Sequence, residues 1–286
     1  MSRTISRLIR FLAIDNSVYF GDAILPNGVT DSAAARSARI VTGDIFGDYQ
    51  FTDQILEVKK LLSPLNPSQV RTIRCLGFNY GRHAIERGLV IDKSYKPVTS
   101  LSGPTDPIKV PLIAQDRPGL DYEAELVIVI GKQARDVPEA DALDYVFGYT
   151  VGNDVSQRYW QVNGGGGQWN FGKCFDTWAP IGPAIVTKAV IGDPGNLKIS
   201  CKINNEQRQY SNTSDFIFKV QKIVSFLSSG TTLLPGDLIF TGTPEGVGVA
   251  FSPPKWLEDG DIVETEIKNI GSIVNQISVE VRQSEI

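Results

Sequence analysis

Residues 121–130 read Asp-Tyr-Glu-Ala-Glu-Leu-Val-Ile-Val-Ile, an acidic head followed by an unbroken aliphatic run. So dense a cluster of β-branched residues, closed by Gly131-Lys132, predicts a buried strand. Side chains alternate along a strand, so Glu123 and Glu125 share a face. Two carboxylates at the mouth of a buried strand repel each other unless a cation stands between them. A hard divalent ion with oxygen ligands meets that need. The competing reading is a strand end open to water, carrying two solvated glutamates.

The rest of the chain sets the bounds on this choice. At 286 residues it is long enough for one large domain, or for one domain with a smaller companion. Its 42% hydrophobic and 21% charged content are ordinary for a globular protein. A net charge of −4 and the lack of any basic stripe argue against nucleic acid as a partner. Cys75, Cys174 and Cys201 are odd in number and widely spaced, which argues against a disulfide framework and a zinc–thiolate site and favours a reducing compartment. No apolar run approaches the roughly 18 residues that span a bilayer, so no membrane partner is expected. The first ten residues are basic, as in a mitochondrial transit peptide, yet Leu8 to Ile14 continues as strand-like sequence. A cytoplasmic location is expected, with a mitochondrial one as the alternative.

Along the chain, residues 8–24 predict a hairpin around Asp15-Asn16-Ser17. Residues 53–62 have helical periodicity with Asp53 as cap, and Pro64 and Pro67 mark a connector. The expected organisation is a small N-terminal domain over residues 1–70 and a larger domain over 71–286. Within the larger one, Ile73 to Gly77 predicts a strand, and a short helix through Tyr80, His83, Glu86 and Arg87 stops at Gly88. Residues 92–118 hold five prolines and predict a long irregular loop. A helix-like segment follows Pro138, and a strand over 146–152 ends at Asn153-Asp154. Thr213 to Ser228 has helical spacing, and the remainder reads as strands and turns. Helices and strands alternate too sparsely for a doubly wound sheet, so a mixed α/β, strand-dominated fold is expected.

One apparent motif is misleading. Gly167-Gln-Trp-Asn-Phe-Gly172-Lys173 has the spacing of a phosphate-binding loop, but Cys174 replaces the required hydroxyl. Four glycines also stand where that fold needs a strand. His83, the sole histidine, precedes Glu86 by three residues, so a helix brings the pair together as a general base or leaves it as a surface pair. Asp154 ends a strand and Lys173 follows a flexible tract, and neither placement alone decides a role.

Together these blocks resemble the fumarylacetoacetate hydrolase family. The likeness runs through Cys75-Leu-Gly-Phe-Asn-Tyr-Gly-Arg-His83-Ala-Ile-Glu86, Lys96-Pro97, the 121–132 stretch and Gly148-Tyr-Thr-Val-Gly-Asn-Asp-Val-Ser-Gln-Arg158. It continues in Gly172-Lys-Cys-Phe-Asp, Gly182-Pro183, Leu234-Pro-Gly-Asp-Leu-Ile, Thr241-Gly-Thr-Pro-Glu-Gly-Val-Gly and Gly260-Asp261. The resemblance implies a mixed β-sandwich roll behind a small N-terminal α+β domain, assembled as a homodimer. It implies that Glu123, Glu125 and Asp154 ligate Mg²⁺ or Mn²⁺, with Lys173 as the cation beside them. His83 and Glu86 match the family's catalytic dyad on a lid. Arg158, Gln161, Lys96 and Thr241 match positions at the substrate. Asn163-Gly-Gly-Gly-Gly-Gln-Trp169 departs from the family pattern.

The implied substrate is a small 2-oxo or 1,3-dicarbonyl acid, and the implied chemistry passes through an enolate. The complete dyad favours C–C hydrolysis, as in acylpyruvate cleavage. Decarboxylation or keto–enol tautomerisation of oxaloacetate or a related acid uses the same enolate. A non-catalytic metabolite-binding protein is the alternative from another class.

Overall fold

The computed structural model describes residues 4–87 and 93–281, apart from the side chains of residues 86, 87 and 93. Strands β1 (Arg7–Ala13), β2 (Val18–Ile24), β3 (Ser37–Gly43) and β4 (Tyr49–Leu61) come first. Next are β5 (Ile73–Leu76), helix α1 (Gly81–Arg87) and β6 (Lys93–Lys96). Short elements follow: β7 (Leu101–Ser102), β8 (Ile108–Val110), α2 (Leu112–Gln115) and β9 (Leu120–Asp121). The central part holds β10 (Ala124–Ile130), β11 (Val146–Asn153), β12 (Ser156–Gln157) and β13 (Ala179–Thr187). The last part runs α3 (Lys188–Ile191), β14 (Lys198–Ile203), β15 (Glu206–Asn212), α4 (Val220–Ser228), β16 (Leu238–Phe240), β17 (Ile262–Ile267) and β18 (Gly271–Val279).

Among the described residues, one large sheet has the order β2-β3-β4-β1-β13-β11-β10-β16-β5-β6, with β7 added beside β13. A smaller sheet runs β15-β14-β17-β18-β8, and β9 pairs with β12 in a two-residue ladder. β10 lies deep in the large sheet between β11 and β16. Its alternate residues feed different cores. Leu126, Ile128 and Ile130 pack with the smaller sheet and α4, whereas Val127 and Val129 pack with β5, β13 and β16. All five are fully buried, each contributing about 1.5–3 kcal/mol by leaving water. A strand with apolar neighbours on both faces has no place for a polar residue, which is why the aliphatic run is unbroken. The strand-dominated fold expected from the sequence is the one found.

Three local expectations are corrected. Residues 53–62 form no helix; all but the last belong to β4, which pairs with β3 and β1. Ile55, Leu56, Val58 and Leu61 suit either period, and the open edges of two neighbouring strands decide for the sheet. Of the expected loop over 92–118, the described residues from 93 onward form no single loop. β6 pairs with β5, β7 with β13 and β8 with β18, each partner being remote in sequence and so invisible to local pattern. The helix expected from Thr213 is split: a single 3-10 turn forms at Thr213–Asp215, and the α-helix begins only at Val220. The Asn79 side chain holds both backbone groups of Phe218, which keeps the chain extended just before the helix. The hairpin at 8–24 and the strands at 73 and 146 form as expected. The helix stop at Gly88 lies outside the described residues.

The N-terminal strands extend the large sheet through β1, where Arg7 pairs with Val186 and Leu8 with Ile185. Ile5, Leu8, Val41, Ile45 and Leu65 share one core with Val127, Ile181 and Phe240. A short turn at Pro67–Gln69 leads from β4 towards β5.

Candidate active site

The acidic head of the 121–130 stretch sits where β10, β11 and the β9–β12 ladder meet. Asp154 follows the last residue of β11, and its N–H donates to the Glu123 carbonyl at 2.9 Å. The Asn153 side chain accepts from the Glu123 N–H at 2.9 Å. These two bonds fasten the strand ends together. One carboxylate oxygen from each of Glu123, Glu125 and Asp154 lies within 4.8 Å of the others, and all three residues are buried.

Cations meet this cluster on several sides. Lys173 Nζ lies 2.9 Å from Glu123 Oε2 and 2.9 Å from Asp154 Oδ2, and donates to Ser156 Oγ at 2.6 Å. Lys96 Nζ lies 2.7 Å from Asp154 Oδ1 and donates to the carbonyls of Val155, Lys173 and Trp178. Arg158 reaches Glu123 Oε1 through Nη1 at 2.6 Å and Asp121 Oδ2 through Nε at 2.8 Å. Its Nη1 also donates to Gln161 Oε1, while Nη2 is buried with no hydrogen-bond partner.

The electrostatics separate the two glutamates. Burial alone would raise the Glu123 carboxyl, but Lys173 and Arg158 outweigh it and hold it down at about 2. Glu125 goes the other way: burial, then the negative charges of Asp154 and Glu123, push it well above the usual carboxylate range. Its Oε2 accepts from the Gly242 N–H at 2.7 Å, and its buried Oε1 has no hydrogen-bond partner. Gly242 has φ +90°, a backbone conformation that presents its N–H to Glu125 and favours glycine. The Lys173 ammonium is held charged. Burial opposes the charge, but Asp154 and Glu123 more than offset it.

These residues fit a divalent metal. Four buried carboxyls (Asp121, Glu123, Glu125, Asp154) face three cations, which leaves one negative charge in excess when all are ionised. The excess falls on Glu125, whose Oε1 lacks a partner, and the donors are all hard oxygens.

A cavity of about 360 Å³ opens onto the cluster. Glu123, Lys173, Arg158, Gln161 and His83 line its polar side, and Phe78, Val162, Trp169, Val249 and Trp256 line the apolar side. His83 is 4% exposed, with its ring centroid 5.0 Å from that of Phe78. Glu86 lies in the last turn of α1, and its side chain is outside the described residues.

The structure thus brings together His83, Glu123, Lys173, Arg158 and Gln161 around one cavity, with Glu125 and Asp154 behind it. Two other sequence candidates take different places. Lys96 is 3% exposed, bound to three carbonyls and Asp154, and absent from the cavity wall. Thr241 is fully buried and donates through Oγ1 to the Leu126 carbonyl, which places it in the strand scaffold rather than on the wall. Sequence reasoning did not single out Ser156, Gly242 or Thr243. Thr243 Oγ1 donates to the Ala124 carbonyl, and so holds β10 between its two glutamates. The Gly-Thr-Pro turn after Thr241 was the signal available for the last two.

Comparison with known proteins places the whole chain. Residues 72–278 match the family described as fumarylacetoacetate (FAA) hydrolase, C-terminal. The mitochondrial oxaloacetate tautomerase fahd2 of Xenopus laevis is 46% identical over 222 residues, covering 76% of this chain and 68% of that protein. The crystal structure of 2-hydroxyhepta-2,4-diene-1,7-dioate isomerase from Mycobacterium marinum superposes with a TM-score of 0.80 at 36% identity, covering 97% of this chain and 100% of the other. The 5-carboxymethyl-2-hydroxymuconate delta-isomerase of Mycobacterium smegmatis gives 0.79 at 35%, covering 96% and 100%. With its buried acidic cluster and cation-lined cavity, this chain is an enzyme of the fumarylacetoacetate hydrolase family.

Proposed function

We propose that this enzyme moves a proton between the keto and enol forms of a small 2-oxo acid, oxaloacetate or a close relative. Glu123, Glu125 and Asp154 would hold Mg²⁺ or Mn²⁺. The observation that carries this reading is Arg158 Nη2, buried and unpartnered on a cavity wall shared with Glu123 and Lys173. A planar guanidinium with a free N–H is suited to a carboxylate. The excess negative charge around Glu125 supports a cation there. The named activities of the similar proteins, one tautomerase and two isomerases, support proton transfer over bond cleavage.

When bound, the metal supplies Lewis acidity that favours the enolate over the ketone. The chain's own residues do the rest. Arg158 seats the carboxylate. The fixed charges of Arg158 and Lys173 favour negative charge developing on the keto oxygen as the C–H bond breaks. Lys173 has its charge held by Glu123 and Asp154 and a further bond to Ser156, so it acts as a fixed cation and not as the base. His83, on the cavity wall, takes the proton from the carbon and returns it to the oxygen. The apolar wall of Phe78, Val162 and Trp169 limits competing water.

The test follows enol decay of oxaloacetate by ultraviolet absorbance after chelation and re-addition of Mg²⁺ or Mn²⁺, with product masses recorded. Expected are metal-restored decay without carbon loss, and a drop of about 10²-fold in His83→Ala, the range for loss of a general base. Cleavage products accumulating as fast as the enol disappears would establish the hydrolase or decarboxylase reading instead. The proposal includes a homodimer, on family resemblance alone, which light scattering checks. It leaves the cytoplasmic expectation to compete with the mitochondrial location in the Xenopus laevis relative's name.

A further inference from the structure

We propose that Asp121 is a positioning residue that aims Arg158 into the cavity and couples it to the neighbouring 247–249 segment of the cavity wall. This rests on the reading of Arg158 as the carboxylate seat. Asp121 stands two residues before Glu123, and sequence alone does not separate it from the acids that face the metal site. Its hydrogen bonds do.

Asp121 is fully buried, and N–H groups approach both of its oxygens. Oδ1 accepts from the N–H of Tyr122 at 2.9 Å and of Gly248 at 2.7 Å. Oδ2 accepts from the N–H of Val249 at 3.0 Å and from Arg158 Nε at 2.8 Å. Four donors use the acceptor capacity of a carboxylate, so Asp121 has none left for a metal. It is also outside the group of acids close enough to share one.

The backbone is arranged to deliver those donors. The β9–β12 ladder pairs Asp121 with Ser156, and the Arg158 N–H donates to the Gly119 carbonyl at 2.8 Å. Together these place the arginine beside the acid. At residue 248 a Cβ would stand 2.7 Å from Asp121 Oδ1 and would collide with the Lys255 carbonyl, so only glycine lets the amide approach. Val247 and Val249, on either side, line the cavity.

A guanidinium is planar, so fixing Nε restricts where both terminal nitrogens point. With Nε on Asp121 and Nη1 shared by Glu123 and Gln161, Nη2 is left over. The anion seat is therefore set by Asp121 as much as by Arg158. The same carboxylate carries the amides of the apolar wall, so loosening either partner loosens the other.

Asp121→Asn keeps the shape but turns an acceptor into an NH₂ facing N–H donors. With oxaloacetate as substrate, KM is expected to rise about tenfold with kcat within about threefold, the scale for one charge-assisted hydrogen bond. In an Arg158→Lys background, which lacks Nε, the same change should raise KM by less than about twofold, since the bond is already gone. Independent, multiplicative effects on KM, or a fall confined to kcat, would overturn the proposal. A second measurement uses neither turnover nor an Asp121 variant. Amide exchange at Gly248 and Val249 should rise several-fold in Arg158→Lys relative to the parent protein. Unchanged exchange would overturn the coupling even if every kinetic expectation held. Absence of turnover on any 2-oxo acid would defeat the functional reading alone, and the exchange result would then decide the role of Asp121, as it would if Asp121→Asn failed to fold.

Discussion

From Leu126 to Ile130 every side chain is kept from water by other apolar side chains. From Asp121 to Glu125 the acids are kept from water by Lys173, Arg158 and backbone amides. The two halves of one stretch are about equally dry, yet they answer to different rules. An aliphatic neighbour can be exchanged for another of similar volume at small cost, because dispersion and burial are not directional. A buried charge tolerates no such exchange, because each partner removed leaves the other stranded. The apolar half sets where the strand lies, and the polar half sets what happens at its end.

The sharpest way to break the comparison is Lys173→Met, which removes one of the two cations beside each of Glu123 and Asp154. Chemical denaturation should show a loss of about 3–5 kcal/mol, the range for removing one partner of a buried pair. Ile128→Ala attacks the other half and should cost about 2–5 kcal/mol by leaving a cavity, with the KM of the folded fraction unchanged. Similar losses of stability, with turnover of the folded fraction impaired only in Lys173→Met, are what the comparison requires. A milder probe is acid. The Glu123 carboxyl is held at about 2 against an ordinary 4.5, so its contribution is complete above about 4.5 and is lost as the pH falls towards about 2. Glu123→Gln should therefore give a shallower acid limb when thermal midpoints are followed through that window. The smallest effect belongs to an exposed pair, Lys60 and Asp106, 2.7 Å apart with side chains 46% and 35% accessible. Lys60→Ala should cost less than about 1 kcal/mol in the same denaturation assay, since solvent screens such pairs.

How legible each half was follows from its physics. The aliphatic run announces itself, because burial on both faces forbids polar residues and leaves a pattern in adjacent positions. The same holds for the hairpin at 8–24, where the turn and its flanks are local. β4 was misread because Ile55, Leu56, Val58 and Leu61 fit both periods, and only the pairing with β1 and β3 distinguishes them. The charged half is the reverse case. Glu123 and Glu125 were visible as acids on one face. Their different electrostatics were not, because Lys173 and Arg158, which draw Glu123 down, lie 50 and 35 positions further along the chain. Asp121 and Asp154 are both plain aspartates in sequence. One is saturated with N–H donors and the other lies between two ammonium groups, and that difference exists only after folding. Thr241 and Lys96 stand at motif positions that the resemblance places at the substrate, and folding turns their polar atoms to backbone carbonyls and, for Lys96, to Asp154.

The Lys96 ammonium holds the carbonyls of Val155, Lys173 and Trp178. Between the first two of these lies the segment carrying Gln161, Val162, Asn163 and Trp169 of the cavity wall, including the glycine tract of 164–167. That segment is a hoop clamped at both feet by one side chain. Beyond Arg158 and Gln161, its open turn at Gly166 and Gly167, where an added Cβ meets nothing, can change while the feet, and the acids beside them, stay in register. A lineage could thus redraw the substrate profile by editing the hoop, without rebuilding the reacting centre. A designer grafting a foreign stretch between Gln161 and Lys173 would keep the chemistry as long as Lys96, its three carbonyls, Ser156, Arg158 and Gln161 were left in place.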